Sequence, residues 1–400
     1  MLDPVDGSEI DWIVGYGPPP EKFREKIDQA LKEIDTYKSL SAWYAKDPKN
    51  VEVVYKLAKK VGQKSADERA PKLYREVLAL DPDGMKGMAF RGKDKVSFTE
   101  DAEFSLAELA MRGRNPDLGP FKAFIRKYAD SKLLKTAYSY MSSYYSYQTS
   151  KDEAGAFFDE YLTRYPEDID ALASYVVWAI RTKTNTDEGI KLTEKIRDLK
   201  GSDLQAGSMF NLAQLYAQKG DKTKAGEVYG EDFMEGMVTD LAFDLIRYAN
   251  FWVNNNDNLK SAEKMADTAL KLEPENQSII QQAAGVYLKL DKTAKALAVF
   301  GPNYIRMHMG NASVMNSYAW FWQGQAKNLD SALGAAKKSA ALSPRAAAYD
   351  TLSAVYIKLK NLPEALKAAE KAVELAGQQA ETYKKKLENL KKLMEKKEGE

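Results

Sequence analysis

VYKLAKKVGQKSADERAPKLYREVLALDP, residues 54–82, decides the fold by its spacing. Val54, Leu57, Ala58 and Val61 fall on one face of a helix, because residues three and four apart share a face. Ala70 and Tyr74 do the same in a second helical stretch, which Pro82 ends. Small residues on the facing stripes let two such helices approach closely, and the large ones fill the space between successive pairs. The spacing returns at Tyr138, Met141, Ser142, Tyr145, Ala154, Phe158 and Pro166, and again at Ile246, Ala249, Val253, Ala262, Ala266, Ala269 and Pro274. Partial or shifted copies run through Leu212, Ala213, Tyr216, Ala225 and Tyr229; through Ala283, Tyr287, Ala296 and Phe300; and through Leu352, Tyr356, Ala365, Ala369 and Ala372. Tyr318, Ala319, Trp322 and Ala332 fit if one residue is inserted between the two helices.

A unit of about 34 residues with these positions resembles the tetratricopeptide repeat. The resemblance implies an all-α, right-handed superhelix of about nine helix pairs from residue 51 to 376. Segments 96–130 and 169–200 are the poorest copies. A short helix containing YKSLSAWYAK, residues 37–46, comes before the pairs. The tail carries one apolar stripe, Tyr383, Leu387, Leu390 and Met394, and reads as a capping helix over 378–397.

The first 36 residues do not obey the repeat. LDPVDGSEIDWIVGYGPPPEKFREKIDQAL, residues 2–31, offers an Asp-Gly turn, an extended run from Glu9 to Tyr16, a Gly/Pro break and an amphipathic helix carrying Phe23, Ile27, Ala30 and Leu31. That order resembles the C-terminal part of a thioredoxin-like domain. The expected organisation is therefore a β-hairpin-plus-helix stub over 1–36 and a solenoid over 37–400. The Cys-x-x-Cys that defines the chemistry of that family is absent.

Composition excludes several functions. There is no cysteine, so disulfides, thiolate metal sites and thiol catalysis are ruled out for these residues. The single histidine, His308, has no second imidazole with which to share a metal. With 59 basic and 58 acidic side chains the formal charge is +1, which gives no field to steer the whole chain to nucleic acid. No apolar run reaches the roughly 18 residues of a membrane span. GMAFRGKD, Gly87 to Asp94, falls one residue short of a phosphate loop and ends in Asp where a hydroxyl is needed. It reads as an inter-repeat loop. No cofactor, metal site or catalytic group is expected.

Resemblance to the repeat family implies that the first helix of each pair lines a concave surface that binds extended polypeptide. In YSYMSSYYSYQTS, residues 138–150, Tyr138, Met141 and Tyr145 then point into the core. Ser139, Ser143 and Ser146 face the groove, with Tyr140 and Tyr147 at its rim and Tyr144 turned toward the neighbouring repeat. The same wheel places Phe210 and Gln214, Arg247, Phe251 and Asn254, and Asn316 and Trp320 along the groove. Phe251 and Trp320 share the repeat position of Ser143 and are expected to be exposed.

Aromatics, amides and one arginine suit an extended polypeptide, with amides bonding its backbone. These near-neutral positions disfavour single-stranded RNA. The two-lysine, two-asparagine clamp of chaperone-binding relatives does not appear at them. The expected function is a non-enzymatic protein-interaction scaffold, the adaptor half of a thioredoxin-like redox protein. The alternative is a regulatory or oligomerisation segment of a thiol-disulfide oxidoreductase. Family resemblance points to a bacterial periplasmic or secreted parent, and otherwise to the cytoplasm.

Overall fold

The computed structural model describes residues 2, 7, 9–12, 20–64, 68–112, 115–148, 150–200, 206–236, 242–377 and 380–398. The chain divides into two compact units, Met1–Leu199 and Lys200–Glu400. In the first, α1 (Pro20–Leu31) and α2 (Tyr37–Lys46) precede four pairs: α3 (Val51–Gly62) with α4 (Arg69–Leu80), α5 (Phe98–Ala110) with α6 (Gly119–Lys127), α7 (Leu134–Tyr145) with α8 (Lys151–Arg164), and α9 (Ile169–Thr182) with α10 (Thr186–Lys200). Strands β1 (Met88–Arg91) and β2 (Asp94–Ser97) lie between α4 and α5. The second unit pairs α11 (Ala206–Lys219) with α12 (Lys222–Tyr229), followed by the short α13 (Glu231–Gly236), then α14 (Ala242–Asn255) with α15 (Leu259–Leu272). Next come α16 (Gln277–Lys289) and α17 (Thr293–Phe300), the short α18 (Pro302–Met307), α19 (Ala312–Gly324) with α20 (Leu329–Leu342), α21 (Ala346–Lys358) with α22 (Leu362–Glu374), and the cap α23 (Ala380–Glu398). Among the described residues this is the expected all-α series of nine pairs, and no helix is long and apolar enough to cross a membrane.

The small positions do the packing the spacing requires. Ala58, Ala70, Ala154, Ala225, Ala262, Ala296, Ala319, Ala332 and Ala365 are all fully buried between helices. Helix starts carry their own acceptors: Asn50, Ser97, Asp221, Asn276, Asn311 and Asn361 each accept a backbone N–H in the first turn, satisfying donors that the helix leaves unpaired. Tyr138 and Tyr145 are core, as expected, and Tyr145 donates to Glu153 at 2.8 Å.

Two features depart from the sequence reading. First, GMAFRGKD is no simple loop: β1 and β2 pair antiparallel, with Arg91 opposite Asp94 and Gly92 at φ 62° in the two-residue turn, a conformation that favours glycine. The hairpin delivers Arg91 onto α5, where its guanidinium meets Asp101 and Glu108 and lies 4.3 Å from the Phe104 ring centre. Asp101 is fully buried and also accepts from Tyr55 at 2.6 Å and Lys59 at 2.9 Å. Burial alone would push the Asp101 carboxyl up, but the charges of Lys59 and Arg91 and the bonds from Tyr55 and Arg91 outweigh it and hold the carboxyl below its usual range.

Second, the register of α14 is one residue from the one read. Asn256 and Asn258 take positive φ between α14 and α15, as Ala326 and Asn328 do between α19 and α20, so both turns hold the extra residue. Tyr248 bonds Ser261 at 2.9 Å as Tyr318 bonds Ser331 at 2.8 Å. The Trp252 indole donates to the Tyr229 carbonyl at 3.0 Å as Trp322 donates to that of Phe300 at 2.7 Å. The counterpart of Trp320 is therefore Asn250, not Phe251.

At the N-terminus the described residues show one antiparallel bridge, Leu2 with Glu9. Most of the expected hairpin, including residues 13–16, lies outside the described residues, and the thioredoxin-like resemblance draws no support from those that are described. The segment is tied to the first pairs by Lys38 N–H to the Ile10 carbonyl at 3.0 Å, Lys60 to Asp11 at 2.8 Å, and Trp12 against Tyr37 at 4.8 Å. Ala30 of α1 is buried while Leu31 is 68% exposed.

Candidate functional site

The second unit carries a cleft of about 650 Å³ across three successive first helices, α11, α14 and α16. Five of the predicted groove residues line it: Phe210, Gln214, Arg247, Phe251 and Asn254. Phe243, Asn250, Asn255, Gln218 and Gln282 join them. Six carboxamides therefore face one cavity together with three phenylalanines, while Arg247 is the one charged side chain in the lining and no carboxylate lines it.

The geometry fixes what each group offers. Phe210 is a half-buried plate held edge-on by Tyr229 at 5.6 Å and Phe251 at 5.7 Å. Arg247 lies 5.8 Å from the Phe210 ring centre and reaches Asp244 at 3.2 Å. Asn250 donates to the Ile246 carbonyl at 3.0 Å and to the Gln282 amide oxygen at 3.2 Å, and Gln282 donates in turn to Ser278 at 3.2 Å. Asn255 donates to the Phe251 carbonyl at 2.8 Å, and Asn254 accepts from Lys289. The Gln214 side chain makes no hydrogen bond among the described residues. Burial pushes the Tyr229 phenol up, so it stays protonated behind the aromatic wall.

The expectation that Phe251 is exposed is corrected: it is 5% exposed, wedged among Phe210, Tyr229 and Trp252. The register shift in α14 explains this, since Asn250 occupies the outward position and Phe251 turns inward. Phe243, 45% exposed, is the cleft's open aromatic. The sequence signal that could have found Asn250 was the thirteen-residue step from Ala249 to Ala262, the same step as from Ala319 to Ala332.

The remaining predicted residues are dispersed. Trp320 is 48% exposed and lines a second cleft of about 350 Å³ in the same unit, with Ala354 and Ile357 of α21 and Leu390 and Leu393 of α23. Asn316 is half-buried, and its buried side-chain oxygen has no hydrogen-bond partner. In the first unit Tyr140 and Ser143 line a shallow cleft with Glu108, Arg112 and Tyr144. Tyr140 is stacked on Phe121 at 5.4 Å and bonded to Glu108 at 2.8 Å, so much of it is spent on packing. Tyr147, 65% exposed, lies under the Arg181 guanidinium at 5.1 Å. Ser139 is half-buried and accepts, through its carbonyl, from Ser143 at 3.2 Å. Ser146 is buried and bonds the Ser143 carbonyl at 3.0 Å, so it does not face a groove.

Solved structures similar to this chain include tetratricopeptide repeat proteins. One such protein from Parabacteroides merdae is 14% identical, with 79% of this chain and 98% of that one covered at a TM-score of 0.39. Yeast Tom70 is 18% identical over 94% of this chain and 87% of that one, also at 0.39. YrrB, described as a repeat protein with an unusual peptide-binding site, is 17% identical over 57% of this chain and 97% of its own, at 0.25. No family model matches the sequence, and no curated protein matches it.

Proposed function

We propose that the chain is a non-enzymatic interaction scaffold that binds an extended polypeptide segment in the cleft of its second unit. The observation that carries the reading is the convergence of six carboxamides and three phenylalanines on one open cavity. An extended chain presents an N–H and a C=O at every residue, and a carboxamide both donates and accepts, so Gln214, Asn250 and Gln282 can bond a backbone regardless of its sequence. Phe210 and Phe243 then take alternate side chains, because successive residues of an extended chain point to opposite sides. Asn316 and Trp320 in the second unit are proposed as further contact points for longer segments, and Tyr140, Ser143 and Tyr147, with Ser139 behind them, as a separate contact surface of the first unit.

The reading is tested by fluorescence anisotropy of the full chain with a degenerate library of labelled 12-residue peptides. Binding that saturates in wild type and weakens roughly tenfold in a Gln214→Ala, Asn250→Ala variant supports it, since two lost hydrogen bonds at about 0.5–1.5 kcal/mol each amount to that factor. Absence of binding, or binding unchanged by the double substitution, contradicts it. The alternative role as a regulatory segment of a thiol-disulfide oxidoreductase draws on no feature of this cleft.

A further inference from the structure

We infer that the cleft takes a polypeptide carrying two acidic side chains three or four residues apart. The inference rests on the reading of the cleft as a polypeptide site and adds the chemistry of its partner.

Cations gather at two loci around the cavity. At one, Arg247 keeps most of its five N–H donors outside its contact with Asp244, and its guanidinium carbon lies 5.8 Å from the Phe210 ring centre. At the other, the C-terminal end of α14 draws in two lysines from neighbouring helices. Lys289, the last residue of α16, bonds the Asn254 side chain, and Lys222, the first residue of α12, bonds the Asn255 carbonyl at 2.8 Å. Both use neutral acceptors, and neither has a carboxylate partner among the described residues. Each ammonium has three donors. Lys222 contributes to closing the helix end, where cations are favoured.

The separation of the loci sets the spacing. Arg247 precedes Asn254 and Asn255 by two turns of α14, which at 1.5 Å per residue is about 11 Å. A single carboxylate cannot meet both, so a free chain terminus satisfies only one. An extended chain advances roughly 3.1–3.3 Å per residue, and side chains four apart in a strand, or three apart in a polyproline II segment, share a face and span that distance. The lining contains no carboxylate, and Asp244, 3.2 Å from Arg247, is the one an incoming acidic side chain has to share the guanidinium with. Arg247 is the one cation in the lining itself, and Lys289 reaches the lining through the Asn254 side chain.

The experiment uses the full chain and labelled 12-residue libraries that are degenerate except at two positions. The fixed pair is Glu/Glu at i,i+3 or i,i+4, Gln/Gln at the same spacings, or Glu/Glu at i,i+1. A further Gln/Gln library carries a free C-terminal carboxylate in place of an amide. The i,i+3 and i,i+4 Glu libraries are expected to bind at least roughly tenfold tighter than their Gln counterparts, as charge-assisted bonds replace neutral ones. That advantage shrinks as salt rises. Arg247→Gln and Lys289→Gln, each checked for an unchanged melting temperature, are expected to reduce the advantage to the level of the Gln libraries. Equal affinity of Glu and Gln libraries overturns the inference and leaves the polypeptide reading standing. Preference for i,i+1, or for the free C-terminus, overturns the two-locus spacing. Failure of every library to bind overturns both.

Discussion

Phe251→Ala and Trp320→Ala separate the register found here from the one that gives both residues the same outward position. Phe251 is 5% exposed and touches Phe210, Tyr229 and Trp252, with ring centres 4.8–5.7 Å away. A buried phenylalanine removes at least about 150 Å² from water, which at about 25 cal/mol per Å² is worth close to 4 kcal/mol. That sits within the roughly 3–5 kcal/mol found for truncating buried aromatics. Trp320 is 48% exposed, so about half of its larger area is withdrawn from water. The same coefficient gives it at most about 3 kcal/mol, and nearer 2 kcal/mol once the unfolded chain's own burial is allowed for, with no enclosed cavity left behind at a half-exposed site. Urea unfolding followed by the helical circular-dichroism signal is expected to show Phe251→Ala as the more damaging by about 2 kcal/mol. Equal costs, or a larger one for Trp320→Ala, refute the assignment of Asn250 to the outward position.

Ala154→Leu and Ala262→Leu, both at fully buried positions between paired helices, are expected to cost about 1–3 kcal/mol each by overpacking, read from the same unfolding curves. Tyr147→Ala, at a 65% exposed side chain, is expected to stay within about 0.5 kcal/mol. Asp101→Asn leaves Arg91 and Lys59 without their buried counter-charge and is expected to cost about 3 kcal/mol near neutral pH, at the low end for a broken buried pair because Lys59 reaches solvent. The carboxyl is held below its usual range in the fold, so the unfolded chain binds more protons in acid. Its contribution is complete above about pH 4 and is lost as pH falls through the lowered folded value. The gap between wild type and Asp101→Asn in thermal melts is therefore expected to narrow below that pH.

The nine helix pairs were legible because a helix pair cannot close without a small residue on each facing stripe, and those residues recur at near-constant spacing. Core tyrosines such as Tyr138 and Tyr145 were legible for the same reason. The hairpin was not: β1 and β2 have four residues each, too short for alternation to show, and they are held by Arg91 reaching the buried Asp101 carboxylate in the next helix, a pairing no hydrophobic pattern records. The cleft was half legible. Phe210, Gln214, Arg247 and Asn254 follow from the helical wheel, whereas Asn250 was hidden because a positive-φ turn at Asn256 and Asn258 absorbs one residue without changing the pattern inside either helix. Phe243 and Gln282 sit on the expected helices, but they face the cleft through the packing of three helices that no single wheel describes.

The polypeptide reading is tested most directly by placing a photo-cross-linking phenylalanine analogue at Phe243, the cleft's exposed aromatic, and in a separate variant at Leu272, equally exposed at the end of α15 and outside the cleft lining. Irradiation with labelled 12-residue peptides, followed by mass spectrometry of the adducts, shows where polypeptide sits. Adducts that form at position 243, saturate with peptide concentration and are competed by unlabelled peptide are the predicted result. Labelling at 243 no greater than at 272, and insensitive to competitor, would contradict a polypeptide site in this cleft.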